Sequence, residues 1–177
     1  MVRISRRSIT GMTALFLLSA FQLTLQDRMS EAADAPWPGH VNVIEARLTK
    51  AYLQKATRQQ GKDLLLPQLR IYDAKGNGLL AIVGYSPKGL DIALPPILAG
   101  QGKADAAHPL ALDLARIERT DGKSLGDLPP ADLTIVEMWA GWCAPCRAQT
   151  RYLAKVLGAH PDVRVTLLHV EADPQKM

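Results

Sequence analysis

Apolar and polar positions in the first half of the chain predict a helix followed by a β-hairpin. Asn42 with Glu45 three residues later is typical of a helix start, and apolar residues then recur every fourth position up to Gly61, a common helix end. This pattern predicts a helix over 43–60. Two apolar runs around a Gly-rich turn predict a hairpin over 69–85.

The next stretch predicts short elements on either side of a linker. Ser86 before Pro87 favours a helix start, and the double proline at 95 and 96 predicts that this helix ends early. Residues 99–109 are small and polar, as in linkers. The alternating leucines of 110–114 then predict a strand.

The last part of the chain predicts a strand, a helix and a second strand. Residues 133–139 form an apolar, β-branched run that suits a buried central strand. A helix is predicted over 143–157, with Gly158 as its cap, and a further strand over 163–170. This order is that of a βαβ unit, so the sequence predicts an α/β fold.

Residues 1–35 read as an export signal. Arg3, Arg6 and Arg7 precede an apolar run, and small residues near Ala32 provide a cleavage site. The arginine pair, between Ser5 and Ser8, resembles the twin-arginine export motif, although any basic start can contain adjacent arginines. We therefore expect a periplasmic or other extracytoplasmic location, with an uncleaved membrane anchor as the alternative.

Length and charge restrict what the rest of the chain can be. The 177 residues suit one domain, and the net charge is +4. Residues before Ala33 contribute +2 of that charge, which leaves an ordinary surface and no support for nucleic-acid binding. We divide the chain into the leader 1–35, a helix-hairpin-helix segment 36–98, the linker 99–109 and a segment 110–177.

The two cysteines of the chain, Cys143 and Cys146, lie at the predicted turn from strand into helix. Unpaired N–H groups and the helix dipole favour a thiolate there, so Cys143 is the expected nucleophile. Cys146 lies within disulfide reach and can resolve a mixed disulfide, and Pro145 stiffens the ring between them. The alternative to redox chemistry is that the two cysteines form a structural disulfide. Metal binding with His160 or His169 is subordinate, because paired zinc-ligand spacing is missing.

The motif from Trp139 to Cys146, with the strand before it, resembles the active-site half of thioredoxin-like proteins. It is most similar to the exported, TlpA-type thiol-disulfide oxidoreductases, whose Asp-Gly-Lys-like turn corresponds to 121–123 here. The resemblance implies an exposed Cys143 and a buried Cys146. It also implies that Glu137 is the buried acid that accepts the proton of Cys146, although the family more often has Asp there. The alternative for Glu137 is an edge carboxylate in solvent.

The chain stops before the second half of a thioredoxin-like fold, but similar elements precede the motif. We therefore predict a thioredoxin-like mixed sheet flanked by helices in permuted element order, with residues 41–98 supplying the missing half. Pro67 would then be the cis-proline that grips substrate. The rival arrangement keeps this segment as a separate accessory module. Trp142 is expected to be exposed beside the nucleophile, as part of a docking surface for substrate that also includes Pro145.

These features predict an exported thiol-disulfide oxidoreductase that acts on disulfide-containing or dithiol partner proteins without a bound cofactor or metal. The resemblance favours a reductant that draws electrons from a membrane partner. The alternatives are a non-catalytic binding or chaperone module and a protein that binds metal through its thiolates.

Overall fold

The computed structural model describes residues 37–59, 64–105 and 107–172. Within them one mixed sheet is formed by β1 (Val41–Leu48), β2 (Gln68–Asp73), β3 (Gly78–Val83), β4 (Ile117–Arg119), β5 (Leu133–Trp139) and β6 (Val165–Glu171). The helices are α1 (Lys50–Gln59), α2 (Pro87–Leu98), α3 (Leu110–Leu114) and α4 (Ala144–Gly158). A 3₁₀ turn covers Leu125–Asp127.

The strand order across the sheet is β3-β2-β5-β6-β1-β4. The three central strands β5, β6 and β1 are parallel, whereas β2 runs antiparallel to β5 and β3 antiparallel to β2. The predicted βαβ unit is confirmed as β5-α4-β6. The early hairpin joins the same sheet, because Leu69 of β2 pairs with Glu137 of β5. The fold is therefore mixed α/β and thioredoxin-like, with elements from both halves of the chain in one sheet.

Two apolar cores cover the two faces of this sheet. On one face α2 and α4 pack against the central strands through Leu90, Leu94 and Leu153. On the other face Leu53 of α1 packs against residues such as Leu168. Full burial of a side chain of this size stabilises the fold by about 1.5–3 kcal/mol, so the two layers hold β5, and the turn that follows it, in a rigid frame.

The prediction of a helix over 43–60 is wrong in its first half. Residues 41–48 form β1, which pairs in parallel with β6, and the helix begins only at Lys50. Thr49 precedes it and its hydroxyl oxygen accepts the N–H of Tyr52 at 3.3 Å. The β-branched residues at the start of this stretch suit a buried parallel strand, and pairing with β6 outweighs the helical periodicity.

The alternating leucines of 110–114 form the short helix α3 and not the predicted strand. In this helix the buried residue is Asp113, which lies between the leucines and accepts hydrogen bonds from Arg70 and Tyr72 of β2. Satisfying this carboxylate sets the local conformation, because an unpaired buried charge is far costlier than a partly exposed leucine.

The double proline does not end α2 early. The helix continues through Pro95 and Pro96 to Leu98, and its start at Ser86 and Pro87 is as predicted. Both prolines lie on the exposed side of the helix. Water can therefore satisfy the carbonyl groups that lose an N–H partner one turn earlier.

The predicted linker 99–109 is partly tied to the sheet. Asp105 and Gly78 exchange backbone hydrogen bonds of 2.6 and 3.1 Å. The proposed leader, residues 1–35, lies outside the described residues, so its role as an export signal stays a prediction. In the part of the chain that the structure describes, no helix is long and apolar enough to span a membrane.

Candidate active site

Cys143 and Cys146 are joined by a disulfide at the start of α4, with 5.2 Å between their Cα atoms. Cys143 is the N-cap of the helix, and its Sγ accepts the backbone N–H of Cys146 at 3.2 Å. The same donor and the positive end of the helix dipole would stabilise a thiolate at Cys143 after reduction. The expected helix-terminus geometry of the nucleophile is therefore present.

The turn between β5 and α4 is held by local contacts. The N–H of Cys143 donates to the carbonyl of Ala140 at 3.0 Å, and the guanidinium of Arg147 donates to the carbonyl of Gly141 at 2.8 Å. Pro145 lies in the first turn of the helix, where a missing N–H costs nothing. These contacts set the two sulfurs at bonding distance in the turn.

A small apolar cluster surrounds the disulfide, formed by Ala140 and the partly buried Leu66 and Trp139. Leu66 comes from the segment before β2, and its peptide bond to Pro67 is cis. The carbonyl of Pro67 accepts the N–H of Gly84 at 2.7 Å, which joins this segment to the end of β3. The structure thus brings the cis-proline loop to the cysteines, whereas the contact of Pro67 with a substrate stays a prediction.

Access to the disulfide is narrow in this oxidised form. Cys143 is 4% exposed and Cys146 is fully buried, so Cys143 is more enclosed than the resemblance implies. Trp142, one residue earlier, is 60% exposed. An indole this open to water beside the disulfide is suited to contact another polypeptide.

Glu137 is fully buried on β5, and one of its oxygens is well satisfied. Oε1 accepts the hydroxyl of Thr150 at 2.9 Å and the amide of Gln149 at 3.4 Å. Burial raises the pKa of Glu137, while the nearby His169 and these two donors oppose that rise. The hydroxyl of Thr150 also lies 3.1 Å from the carbonyl oxygen of Cys146, so this threonine connects Glu137 to Cys146.

His169 on β6 was not predicted as a partner of Glu137. Its ring stacks on Trp139 with 4.6 Å between centroids, and its Nε2 lies 3.8 Å from Oε2 of Glu137. The contact follows from the register of β5 and β6, in which Glu137 and His169 are paired, so the register would have been needed to predict it. Among the described residues no group of three His, Cys, Asp or Glu side chains could hold a metal ion.

A cavity of about 410 Å³ lies elsewhere, over β2, β3 and α3, and contains neither cysteine. Its charged lining includes Arg70, Asp113 and Arg116, whose charges face one another: Arg70 binds Asp113, and Arg116 lies 3.6 Å from the same carboxylate. These pairs stabilise the junction of α3 with the sheet.

Parts of the chain are similar in sequence to thioredoxins. The mitochondrial thioredoxin-3 of Saccharomyces cerevisiae is 35% identical over 43 residues, 24% of this chain and 34% of the relative. Thioredoxin C-3 of Corynebacterium nephridii is 28% identical over 79 residues, 44% of this chain and 54% of the relative. A thioredoxin of Alicyclobacillus acidocaldarius is 39% identical over 51 residues, 28% of this chain and 45% of the relative.

The chain therefore spans about half or less of the length of these curated relatives. No protein-family model and no solved structure gives a significant match. The partial similarities, together with the sheet and the cysteine pair at the helix start, support a place in the thioredoxin-like superfamily. None of the three relatives is named as a TlpA-type protein.

Proposed function

We propose that this protein is an exported thiol-disulfide oxidoreductase of the TlpA type, which reduces disulfides in partner proteins. The observation that carries the proposal is the Cys143–Cys146 disulfide at the start of α4, in which the sulfur of Cys143 accepts a backbone N–H. The partial similarity to thioredoxins supports the same chemistry.

In the reduced protein the thiolate of Cys143 attacks one sulfur of a partner disulfide. A mixed disulfide forms and the other partner sulfur leaves as a thiolate. Cys146 then loses its S–H proton to the carboxylate of Glu137 and attacks the sulfur of Cys143. The mixed disulfide breaks, the second partner thiolate leaves, and two electrons have passed to the partner. The product on this side is the disulfide seen in the structure.

Trp142 and the loop of Pro67 flank this reaction as the proposed docking surface for the partner polypeptide. A membrane dithiol protein is the proposed electron donor that reduces Cys143–Cys146 again. The reductive direction corresponds to a reduction potential nearer the value of thioredoxin, about −270 mV, than that of a strong oxidant, about −120 mV.

The exchange chemistry is tested by reduction of insulin disulfides with the purified protein and by matched serine variants. Cys143→Ser is expected to abolish the activity. Cys146→Ser is expected to retain the first attack and to accumulate a mixed disulfide through Cys143, which mass spectrometry detects. Equal, negligible rates for the wild type and Cys143→Ser would refute the enzymatic function and leave a binding or chaperone module.

Export is tested separately. A fusion of residues 1–35 to a reporter that works only outside the cytoplasm is expected to be active, and Arg6→Lys with Arg7→Lys is expected to abolish transport by the twin-arginine route. An unchanged signal in the double variant would exclude that route, and an inactive fusion would refute the export proposal.

A further inference from the structure

Three titratable side chains form a row across neighbouring strands of the sheet. Glu45 of β1, His169 of β6 and Glu137 of β5 are paired in register, so their side chains point to the same face. Nδ1 of His169 lies 3.3 Å from Oε2 of Glu45, and Nε2 lies 3.8 Å from Oε2 of Glu137. We refer to these three residues as the carboxylate–imidazole row.

The row runs from solvent into the core. The side chain of Glu45 is 59% exposed, that of His169 is 7% exposed and that of Glu137 is fully buried. The stacked ring of Trp139 and the edge of Trp37 hold the imidazole in place. The row therefore connects an acid deep in the protein with a carboxylate that water reaches.

Hydrogen bonding assigns the position of the protons. The carboxylate of Glu45 accepts a hydrogen bond from Nδ1 of His169. In a neutral imidazole the proton therefore lies on Nδ1, and Nε2 is an acceptor. Oε1 of Glu137 accepts hydrogen bonds from Thr150 and Gln149. Oε2 of Glu137 and Nε2 of His169 have no hydrogen-bond partner. A proton on neutral Glu137 therefore belongs on Oε2, which faces Nε2 of His169 at 3.8 Å.

The remaining charged groups near His169 belong to the next row of the sheet. That row contains Arg47 of β1 and Glu171 of β6 beside Trp139, and Arg47 is bound to Glu118 of β4. From α4 the neighbours of Glu137 are the uncharged Gln149 and Thr150. The titratable group that faces Glu137 directly is thus His169, and Glu45 contacts the opposite side of its ring.

We propose that His169 is a positioning residue for Glu137: Nε2 takes the proton from Oε2 while Glu45 holds the opposite side of the ring, so the row favours the ionised carboxylate and opposes the effect of burial. The O–H bond of Glu137 breaks as the N–H bond of His169 forms, and no electrons are transferred. The use of this carboxylate, to take the S–H proton of Cys146, rests on the proposed function. The row itself does not depend on that function.

The test is a titration of the full-length protein with the disulfide intact, followed by ¹³C NMR of the Glu137 carboxyl and ¹⁵N NMR of the His169 ring. Glu45→Gln removes the outer carboxylate, and His169→Phe keeps a stacking ring without nitrogens. Glu118→Gln, an exposed carboxylate on the next strand, is the matched control. Both row variants are expected to move the titration midpoint of Glu137 upward, and the control is expected to leave it unchanged.

The two row variants are also expected to be non-additive, because Glu45 acts on Glu137 only through the ring. Adding Glu45→Gln to His169→Phe should produce no further shift, and the neutral ring should carry its proton on Nδ1. Unchanged midpoints, additive shifts, or a neutral ring protonated on Nε2 would each overturn the proposal. If His169→Phe fails to fold, the surface variant Glu45→Gln and the wild-type ¹⁵N spectrum decide.

The insulin assay separates the two proposals. A shifted midpoint in a protein without exchange activity would support the row and refute the proposed function. An active enzyme whose midpoint is unchanged in Glu45→Gln would refute the row alone.

Discussion

Replacing Glu137 by Gln should change how the stability of the oxidised protein depends on pH. Gln keeps an oxygen that can accept the bonds from Thr150 and Gln149, but it has no charge to bury. Below the ordinary pKa of Glu, 4.5, the wild-type carboxyl is protonated in both the folded and unfolded chains, so the two proteins should have similar stability.

The difference appears as the pH rises. Burial raises the pKa of Glu137 in the folded protein, so the unfolded chain loses its proton first and unfolding becomes more favourable. Between the unfolded and folded pKa values each pH unit costs the wild type up to about 1.4 kcal/mol that the variant does not lose. With an m-value of about 2 kcal/mol/M, this is about 0.7 M in the urea midpoint per pH unit.

The assay is urea unfolding followed by circular dichroism between pH 4 and 8, without reductant. Groups such as Asp132, whose pKa is lowered by its hydrogen bonds with Arg164, are present in both proteins and cancel in the comparison. Glu118→Gln removes an exposed negative charge and so controls for the change in net charge alone. Parallel curves for the wild type and Glu137→Gln over the whole range would refute the reasoning that this acid is destabilised by burial.

Two further substitutions probe the rest of the molecule. Asp113→Ala leaves the donors of the fully buried carboxylate unpaired and should lower the free energy of unfolding by about 3 kcal/mol, which calorimetry would detect as a fall in Tm of roughly 6–12 °C. The control Asp121→Ala, at an exposed ion pair, should change Tm far less. Equal changes in Tm would contradict the importance of burial. Trp142→Ala should leave Tm nearly unchanged and raise KM for insulin while the rate with a small disulfide is retained, so unaltered insulin kinetics would remove Trp142 from the docking surface.

Local signals were enough to predict the elements that surround the cysteines. Strand β5, helix α4 and the early hairpin follow from a β-branched run, a proline in a first turn and a Gly-rich turn. Each of these signals acts over a few residues. The position of Cys143 at a helix start could therefore be read directly from the chain.

Pairing between distant residues could not be read in the same way. Strand β1 has a periodicity that also fits a helix, and only its parallel partner β6 resolves the choice. The contact of His169 with Glu137 depends on the register of two strands, and the burial of Asp113 depends on donors more than 40 residues away in the chain. Short sequence patterns do not predict pairing between residues so far apart in the chain.

The strand order has a consequence for how the chain acquires its structure during synthesis. Hairpin β2–β3 is made before β5, and the parallel pairing of β1 must wait for β6, whose His169 lies beside Glu45 across 124 positions. Contacts this distant in sequence form slowly, because a long loop must close before they stabilise anything. Synthesis therefore produces the outer strands β1 to β4 first and the central strands β5 and β6 last. The outer strands must avoid aggregation until β5 and β6 have been made and can pair with them.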